Sequence, residues 1–518
     1  MHTFICDNKQ TVVNTDKGKV KGYFYDHTYV FQGIPYAKAK RFHAPVEVEA
    51  WDGIFEATSY GYVCPLLDLG KPSGEVLTAH RYWVMNEDCQ NLNVWTPGLD
   101  NKKRPVIVWL HGGGFEAGSS IEQVAYDGAN MSHYGDVVVV SINHRLNILG
   151  YLDLSDFGDE YENSGNAGTD DIIASLKWVQ KNISVFGGDP NNVTVFGQSG
   201  GGTKVTTLLQ SHDADGLYQH GVCMSGVIDD ILPDCKGSAK ELVDEMMKEL
   251  NLTSIKELET VSYDLMASVY KKLKPKYQKL GKNVGCTPFI NSHYKGNPNI
   301  VGFREETKDI PMMIGTNFGE FLPFFPSAFD RNALSIEQGE EIVRKTFKED
   351  GDTIIQLFKE AYPDRNPCDL MVIDCIFRLP NIKYNLGRGQ VNPTNTFVYL
   401  FNQDFIIDGG KAPWHCSDIA YFFHNCELAP VTQEVGVVDD LEKNMFESLM
   451  AFARTGNPNH EGIPEWKSTT GVEENVMLMQ KDFELVTNHD HKLLPIVAKV
   501  MMPLVLGLFT ADPDAIQH

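Results

Sequence analysis

Two stretches of this chain, RPVIVWL (104–110) and DVVVVSINH (136–144), are apolar runs in which inward and outward positions do not alternate. A strand with one wet face alternates. A strand that is apolar throughout is covered on both faces, as in a parallel sheet held between two layers of helix. NNVTVF (191–196), GVCMS (221–225), PMMIG (311–315) and TFVYLF (396–401) continue the series. Between them, ASLKWVQKNI (174–183) sets Leu176, Val179 and Ile183 at helical spacing, and 441–459 reads as an amphipathic helix stopped by Gly456 and Pro458. This rhythm predicts an α/β fold with a central, mostly parallel sheet flanked by helices. Residues 237–280 depart from it. They are charged, helical in pattern and without a strand candidate, and so predict a helical region inserted over the active-site side of the sheet. With no internal repeat and no low-complexity linker, residues 1–518 read as one domain.

Charge narrows the partners. With 69 acidic against 45 basic residues the formal net charge is −24, a field that repels phosphate backbones and anionic lipid. Nucleic acid is therefore not expected as a partner. The N-terminal MHTFICDNKQTVV has neither a basic nor an apolar leader region, which predicts a cytoplasmic protein. No apolar run is long enough to span a bilayer. VMMPLVLGLF (500–509) comes nearest, but it is short and carries Pro503 and Gly507. It reads as a segment packed on the body or in a subunit contact, with a membrane-surface anchor as the other reading. The ten cysteines include no CxxC pair, so no structural metal site is expected, and most of the thiols read as reduced and buried.

The chemistry centres on TVFGQSGGGTKV (194–205). A strand-like run enters Gly197-Gln198-Ser199-Gly200-Gly201, and a helical pattern leaves it through Lys204 and Leu208. That is the setting of a nucleophile elbow, whose sharp turn needs glycine two positions before and after the serine. It also puts the Gly200 amide at a helix N-terminus, able to donate to an anion. Alone, the pattern equally describes a plain tight turn. LHGGGFEAGSS (110–120), after the strand at 104–110, adds peptide N–H groups unshielded by side chains. Gly113 and Gly114 there, with Gly200, make a candidate oxyanion hole. A phosphate-binding loop is the competing reading, and the stretch lacks both a Walker lysine and GxGxxG.

A serine hydroxyl needs a base, and behind such an elbow the order is serine, acid, histidine. His415, in APWHCSDIAYFFHN (412–425), follows a late strand and precedes a helical stretch. His424 falls within that stretch and reads as structural or exposed. For the acid, Glu320 lies in a loop after the run at 311–315. Asp309, Glu305 and Glu306 precede that run, at the wrong end of a strand, and Asp418 reads as the head of the helix after His415.

The chain resembles the type-B carboxylesterases, the α/β-hydrolase family that includes cholinesterases and many bacterial esterases. Ordered blocks carry the likeness across almost its whole length: FQGIPYAKAKRFHAP (31–45), EDCQNLNVWTP (87–97), HGGGF (111–115), INHRLNILGYL (142–152), GNAGTDDIIASLKWV (165–179), FGGDPNNVTVFGQSGGG (186–202) and FARTGNPN (452–459). The resemblance implies an α/β-hydrolase fold with Ser199 as nucleophile, Glu320 as acid and His415 as base. It also implies Gly113, Gly114 and Gly200 as oxyanion donors, Ser225 as a second serine supporting the acid, and a disulfide between Cys64 and Cys89. The chain departs from the pattern at Gly319 and Phe321, which replace an Asp and a Gly around the acid. Gly200 stands for the usual Ala, and Gln198 for a common Glu. The acidic loop that bears a choline-binding Trp in cholinesterases is shortened, and Trp83 lies too close to Cys89 to be that residue.

The expected activity is hydrolysis of small to medium neutral or amine-bearing esters through an acyl-enzyme, with no cofactor or metal, by a monomer or homodimer. Phe115, Phe321, Phe324 and Phe325 are candidate walls of an apolar pocket or, equally, core packing. Glu116 is either a group favouring amines or a solvated rim charge. A lipase or amidase using the same three residues is an alternative, as is a non-catalytic adhesion-type member of the family.

Overall fold

The computed structural model describes residues 2–68, 78–228, 237–325 and 327–511, with 508–511 described by backbone alone. The apolar runs are strands, and their lack of alternation has the expected cause. In β1 (Asn91–Thr96), β2 (Arg104–Leu110), β3 (Val138–Ile142), β4 (Gly188–Gln198), β5 (His220–Met224), β6 (Met312–Asn317), β7 (Thr396–Phe401) and β8 (Asn475–Met479), nearly every residue from the apolar runs is buried. Among the described residues they form the centre of a twelve-stranded sheet, in the order β1-β3-β2-β4-β5-β6-β7-β8. From β3 through β8 every pairing is parallel, while β1 joins β3 antiparallel and Glu484–Thr487 closes the far edge antiparallel to β8. A separate three-stranded sheet lies near the N-terminus.

Two apolar layers cover the faces. One gathers Trp109, Phe196, Phe397 and Phe423 with the helix Val438–Thr455, which ends in a left-handed Gly456. The other gathers Val106, Val108 and Val195 with Ile172, Leu176 and Val179 of the helix Ala167–Asn182. Register decides where function sits. Gly197 pairs with Leu110, Gln198 with Met224, and Asn317 with Phe401, so the parallel strands finish level. The segments leaving those ends carry His111, Ser199, Ser225, Glu320 and His415, at the edge where α/β sheets place their ligands.

Helices Lys240–Glu249 and Tyr263–Lys279 fill the stretch from 237 to 280. They pack with Leu146, Leu149 and Leu152 in a third apolar cluster. Cys64 and Cys89 lie in that cluster too, and both are free thiols, not the disulfide the resemblance implies. Burial pushes the Cys89 thiol well up, so it stays neutral, and the Cys64 sulfur receives the Leu146 N–H at 3.2 Å. Trp83 is exposed, edge-on to Tyr60; residues 69–77 of the shortened loop are outside the described part. The apolar segment near residue 500 belongs to the helix Leu494–Ala511, which buries Met501 and Val505 on the body. Among the described residues no helix is long and apolar enough to cross a membrane.

Candidate active site

Strand β4 runs to Gln198, and α1 (Gly200–Leu209) begins one residue later. Ser199 alone makes the reversal, at φ 56° and ψ −125°. Its N–H is held by the Met224 carbonyl at 2.8 Å, and its carbonyl accepts from Thr203 N at 2.9 Å. The flanking glycines are required by contact. A Cβ on Gly197 would sit 2.4 Å from the Gly201 carbonyl, and one on Gly201 only 1.9 Å from the Leu110 oxygen. Ser225, Glu320 and Cys416 also have positive φ, at 44°, 39° and 73°. Such strained non-glycine backbone persists only where the surroundings impose it, and it gathers at functional sites.

The Glu320 carboxylate is buried and fully engaged. Oε2 accepts from His415 Nδ1 at 2.6 Å, and Oε1 accepts from the Ser225 hydroxyl at 2.6 Å and Asn317 N at 2.7 Å. The two loops are also tied through their backbones, His415 N to the Glu320 carbonyl at 2.9 Å. Gly319 packs under Pro413, whose oxygen a Cβ would approach to 2.5 Å, so an Asp at this position would not fit the turn as built. Asp418 does not cap the helix it precedes. Its carboxylate turns beneath the site to accept from Tyr399 at 2.8 Å, and burial, with Glu320 nearby, pushes it up to about 6. His424 lies just past that helix, Ile419–Phe423, rather than inside it. It pairs with Glu442 at 3.2 Å and stacks on Phe446.

His415 Nε2 faces the Gln198 side chain, Nε2 to Nε2 at 3.3 Å, and Gln198 Oε1 accepts from the Cys416 thiol at 3.2 Å. With Nδ1 donating to Glu320, Nε2 carries the lone pair, and the Gln198 amide donates into it. Among the described residues the Ser199 hydroxyl forms no hydrogen bond to His415 in this state.

In the glycine loop, Gly113 and Gly114 have φ of 82° and 62°. Their N–H groups, like that of Gly200, donate to no acceptor within the chain among the described residues. A Cβ on Gly200 would lie within 2.4 Å of the Gly114 N, Cα and O atoms, so the loop and the start of α1 are in direct backbone contact. That contact explains the glycine where the family usually has alanine: alanine does not fit.

The rings beside His415 only partly match those expected. Phe321 lies 4.4 Å, centroid to centroid, from the His415 ring. Phe377, which no sequence pattern singled out, stacks on the same ring at 5.2 Å and 16°. Phe377 is positioned by Asp374, whose carboxylate accepts the N–H groups of Ile376, Phe377 and Arg378. Burial, and then the charge of Glu320, push Asp374 up to about 8. Phe115 instead turns inward, buried edge-on against Tyr151, while Phe324 is half-buried against the first apolar layer. Glu116 is ion-paired with Lys274 of the helix Tyr263–Lys279 at 2.6 Å.

Two groups of metal-ligating side chains occur among the described residues, both on other elements. His212, Asp213 and His293 cluster at the surface; Glu474, Asp490 and His491 cluster inside. In the second, the guanidinium of Arg378 occupies the cation's place, its Nη2 at 2.6 Å from Glu474 and 2.8 Å from Asp490.

A sharp serine turn at the carboxyl edge of a parallel sheet, facing unshielded amides and a carboxylate-bound imidazole, defines an α/β-hydrolase of the esterase class. The sequence profile of the carboxylesterase family matches residues 9–493, and the chain belongs to that family. It is similar in sequence to para-nitrobenzyl esterase of Bacillus subtilis, at 30% identity over 87% of this chain and 91% of that one. Human cocaine esterase is 28% identical over 84% of this chain and 81% of its own. A solved esterase of anaerobic Clostridium hathewayi, described as able to hydrolyse aliphatic aromatic polyesters, is 47% identical. It superimposes with a TM-score of 0.94 over 96% of this chain and 100% of that one. The chain is thus a carboxylic-ester hydrolase.

Proposed function

We propose that Ser199, His415 and Glu320 hydrolyse carboxylic esters through an acyl-enzyme. The observation that carries the assignment is the 2.6 Å contact between Glu320 and His415 Nδ1, beside a serine turned out of its strand. His415 Nε2 takes the Ser199 proton as the hydroxyl attacks the ester carbonyl, and the oxyanion forms against the amides of Gly113, Gly114 and Gly200. Glu320 keeps Nδ1 protonated and balances the imidazolium. His415 returns the proton to the departing alcohol, then activates water to release the acid.

The substrate range we infer is small to medium esters, reaching those with aromatic acid groups. The likeness to the polyester-hydrolysing esterase supports the aromatic part. Glu116 offers no unpaired carboxylate to an amine-bearing ester, because Lys274 already neutralises it. We also read the chain as one hydrolase unit, monomeric or dimeric, with 237–280 as its helical insertion. The free thiols of Cys64 and Cys89 support a reducing, cytoplasmic setting.

An organophosphonate tests the assignment. Wild type should take up one equivalent on Ser199 and lose activity, while Ser199→Ala takes up none. Labelling elsewhere, or activity surviving in Ser199→Ala, rejects it. A panel of esters varying acyl and alcohol size, with a soluble aliphatic–aromatic diester included, then sets the range.

A further inference from the structure

Five residues after the proposed nucleophile, α1 carries Lys204, whose side chain is wholly buried. Lysine is almost never fully buried without a partner of opposite charge. Here the ammonium makes a single hydrogen bond, to the carbonyl of His111 at 2.9 Å, and no ion pair among the described residues. His111 is the residue from which Gly112, Gly113 and Gly114 extend. The groups facing the ammonium come from several elements. The stacked rings of His111 and His144 lie beside it, both kept neutral by burial and by the lysine's charge. The charges of Glu122 and Cys64 favour the charged form. Its nitrogen is 5.9 Å from the centre of the Phe115 ring.

This placement has a cost and a use. Stripping an ammonium of water for one neutral hydrogen bond is unfavourable. What that bond does is fix the peptide plane from which the glycine loop springs, and it adds a positive charge behind amides that must receive a negative oxygen.

We propose that Lys204 is a positioning residue for the oxyanion loop: its ammonium holds the His111 carbonyl and thereby aims the Gly113 and Gly114 amides, and loss of its proton relaxes that hold. The inference rests on the reading of Ser199 and the glycine loop given above. Burial pushes the ammonium down to about 7, within working range. Because an oxyanion favours the charged lysine, the charged lysine equally favours the oxyanion. Turnover therefore falls as pH rises through neutrality, on the side opposite to the limb where His415 must be unprotonated.

The test is the pH profile of kcat and KM on a neutral soluble ester, for wild type, Lys204→Met and Lys204→Gln. Wild type should show an alkaline limb centred near pH 7 that moves to lower pH on warming, as ammonium ionisations do. Both variants should lose that limb. Below its midpoint, kcat should fall about tenfold, equivalent to about 1.4 kcal/mol of barrier, with KM changed less than about twofold. Variants that keep both the limb and the wild-type kcat overturn the proposal, as does a loss confined to KM. Should neither variant fold, wild type alone decides: no alkaline limb, or one insensitive to temperature, overturns it. Phosphonate labelling of Ser199 in the same preparations reports separately on the reading beneath.

Discussion

The side-chain amide of Gln198 and the imidazole of His415 meet through their Nε2 atoms at 3.3 Å, at the nitrogen that takes the serine proton in the proposed mechanism. The amide competes with the serine for one lone pair, and the Cys416 thiol holds the amide in place from behind. A neutral hydrogen bond of this kind is worth about 0.5–1.5 kcal/mol. Gln198→Met keeps the shape and removes the donor. Its rate of phosphonylation at Ser199 should equal or exceed that of wild type, by up to about tenfold. A drop of tenfold or more would show that Gln198 assists the base rather than occupying it.

Gly200 admits no Cβ beside Gly114. Gly200→Ala restores the residue usual in the family, yet here it must push the glycine loop away and displace the donors. Misplacing reacting groups by about an ångström costs on the order of a hundredfold. The expected result is a fall in kcat of about that size with a melting temperature close to wild type. An alanine variant as fast as wild type would mean that the loop gives way at no cost.

Glu116 and Lys274 form a half-exposed ion pair, worth no more than about 1 kcal/mol. Since the carboxylate is already neutralised, Glu116→Gln should leave the ratio of kcat/KM for an amine-bearing ester and its neutral isostere within about twofold of wild type. A selective loss of the amine-bearing substrate would show that the pair opens to bind it.

Arg378 bridges Glu474 and Asp490 in the interior. Burial alone pushes the Glu474 carboxyl up, but Arg378's charge and hydrogen bonds outweigh it and hold the group well below the usual range. A depressed carboxylate contributes stability above its unfolded value, near 4.3, and loses it as pH falls toward the folded one. Wild type should therefore begin to lose stability below about pH 4.5. Arg378→Met removes the guanidinium from two buried carboxylates, leaving Glu474 with Asn385 and His491 and Asp490 with Tyr362, and should cost about 3–5 kcal/mol at pH 7 in urea unfolding. Part of that loss should return on lowering the pH to 5, the reverse of wild type. A variant equally destabilised at both pH values would point to lost packing instead.

Much of the framework was legible in the residues. Continuous apolar runs specify strands covered on both faces, and glycines two places either side of Ser199 specify the turn, because both signals are local. The pairing of Glu320 with His415 was legible through chain order and family likeness. Phe377 was not, since its place against His415 depends on Asp374 fixing a loop far away in sequence. Nor was the Gln198 contact, which arises only once the β4 end and the His415 loop are brought together. Glu116 and Phe115 were read from nearness to the glycine loop, whereas a distant lysine and a buried tyrosine determine where they point.

Val505, on the helix Leu494–Ala511, packs in a small cluster with Ile376 and Phe377. The aromatic ring behind the proposed base is therefore backed by a helix that is made long after the serine turn. While the chain is being synthesised, the serine turn and its sheet can form long before the imidazole is enclosed. The nascent protein thus has its proposed nucleophile without a fully walled partner until that helix has been made.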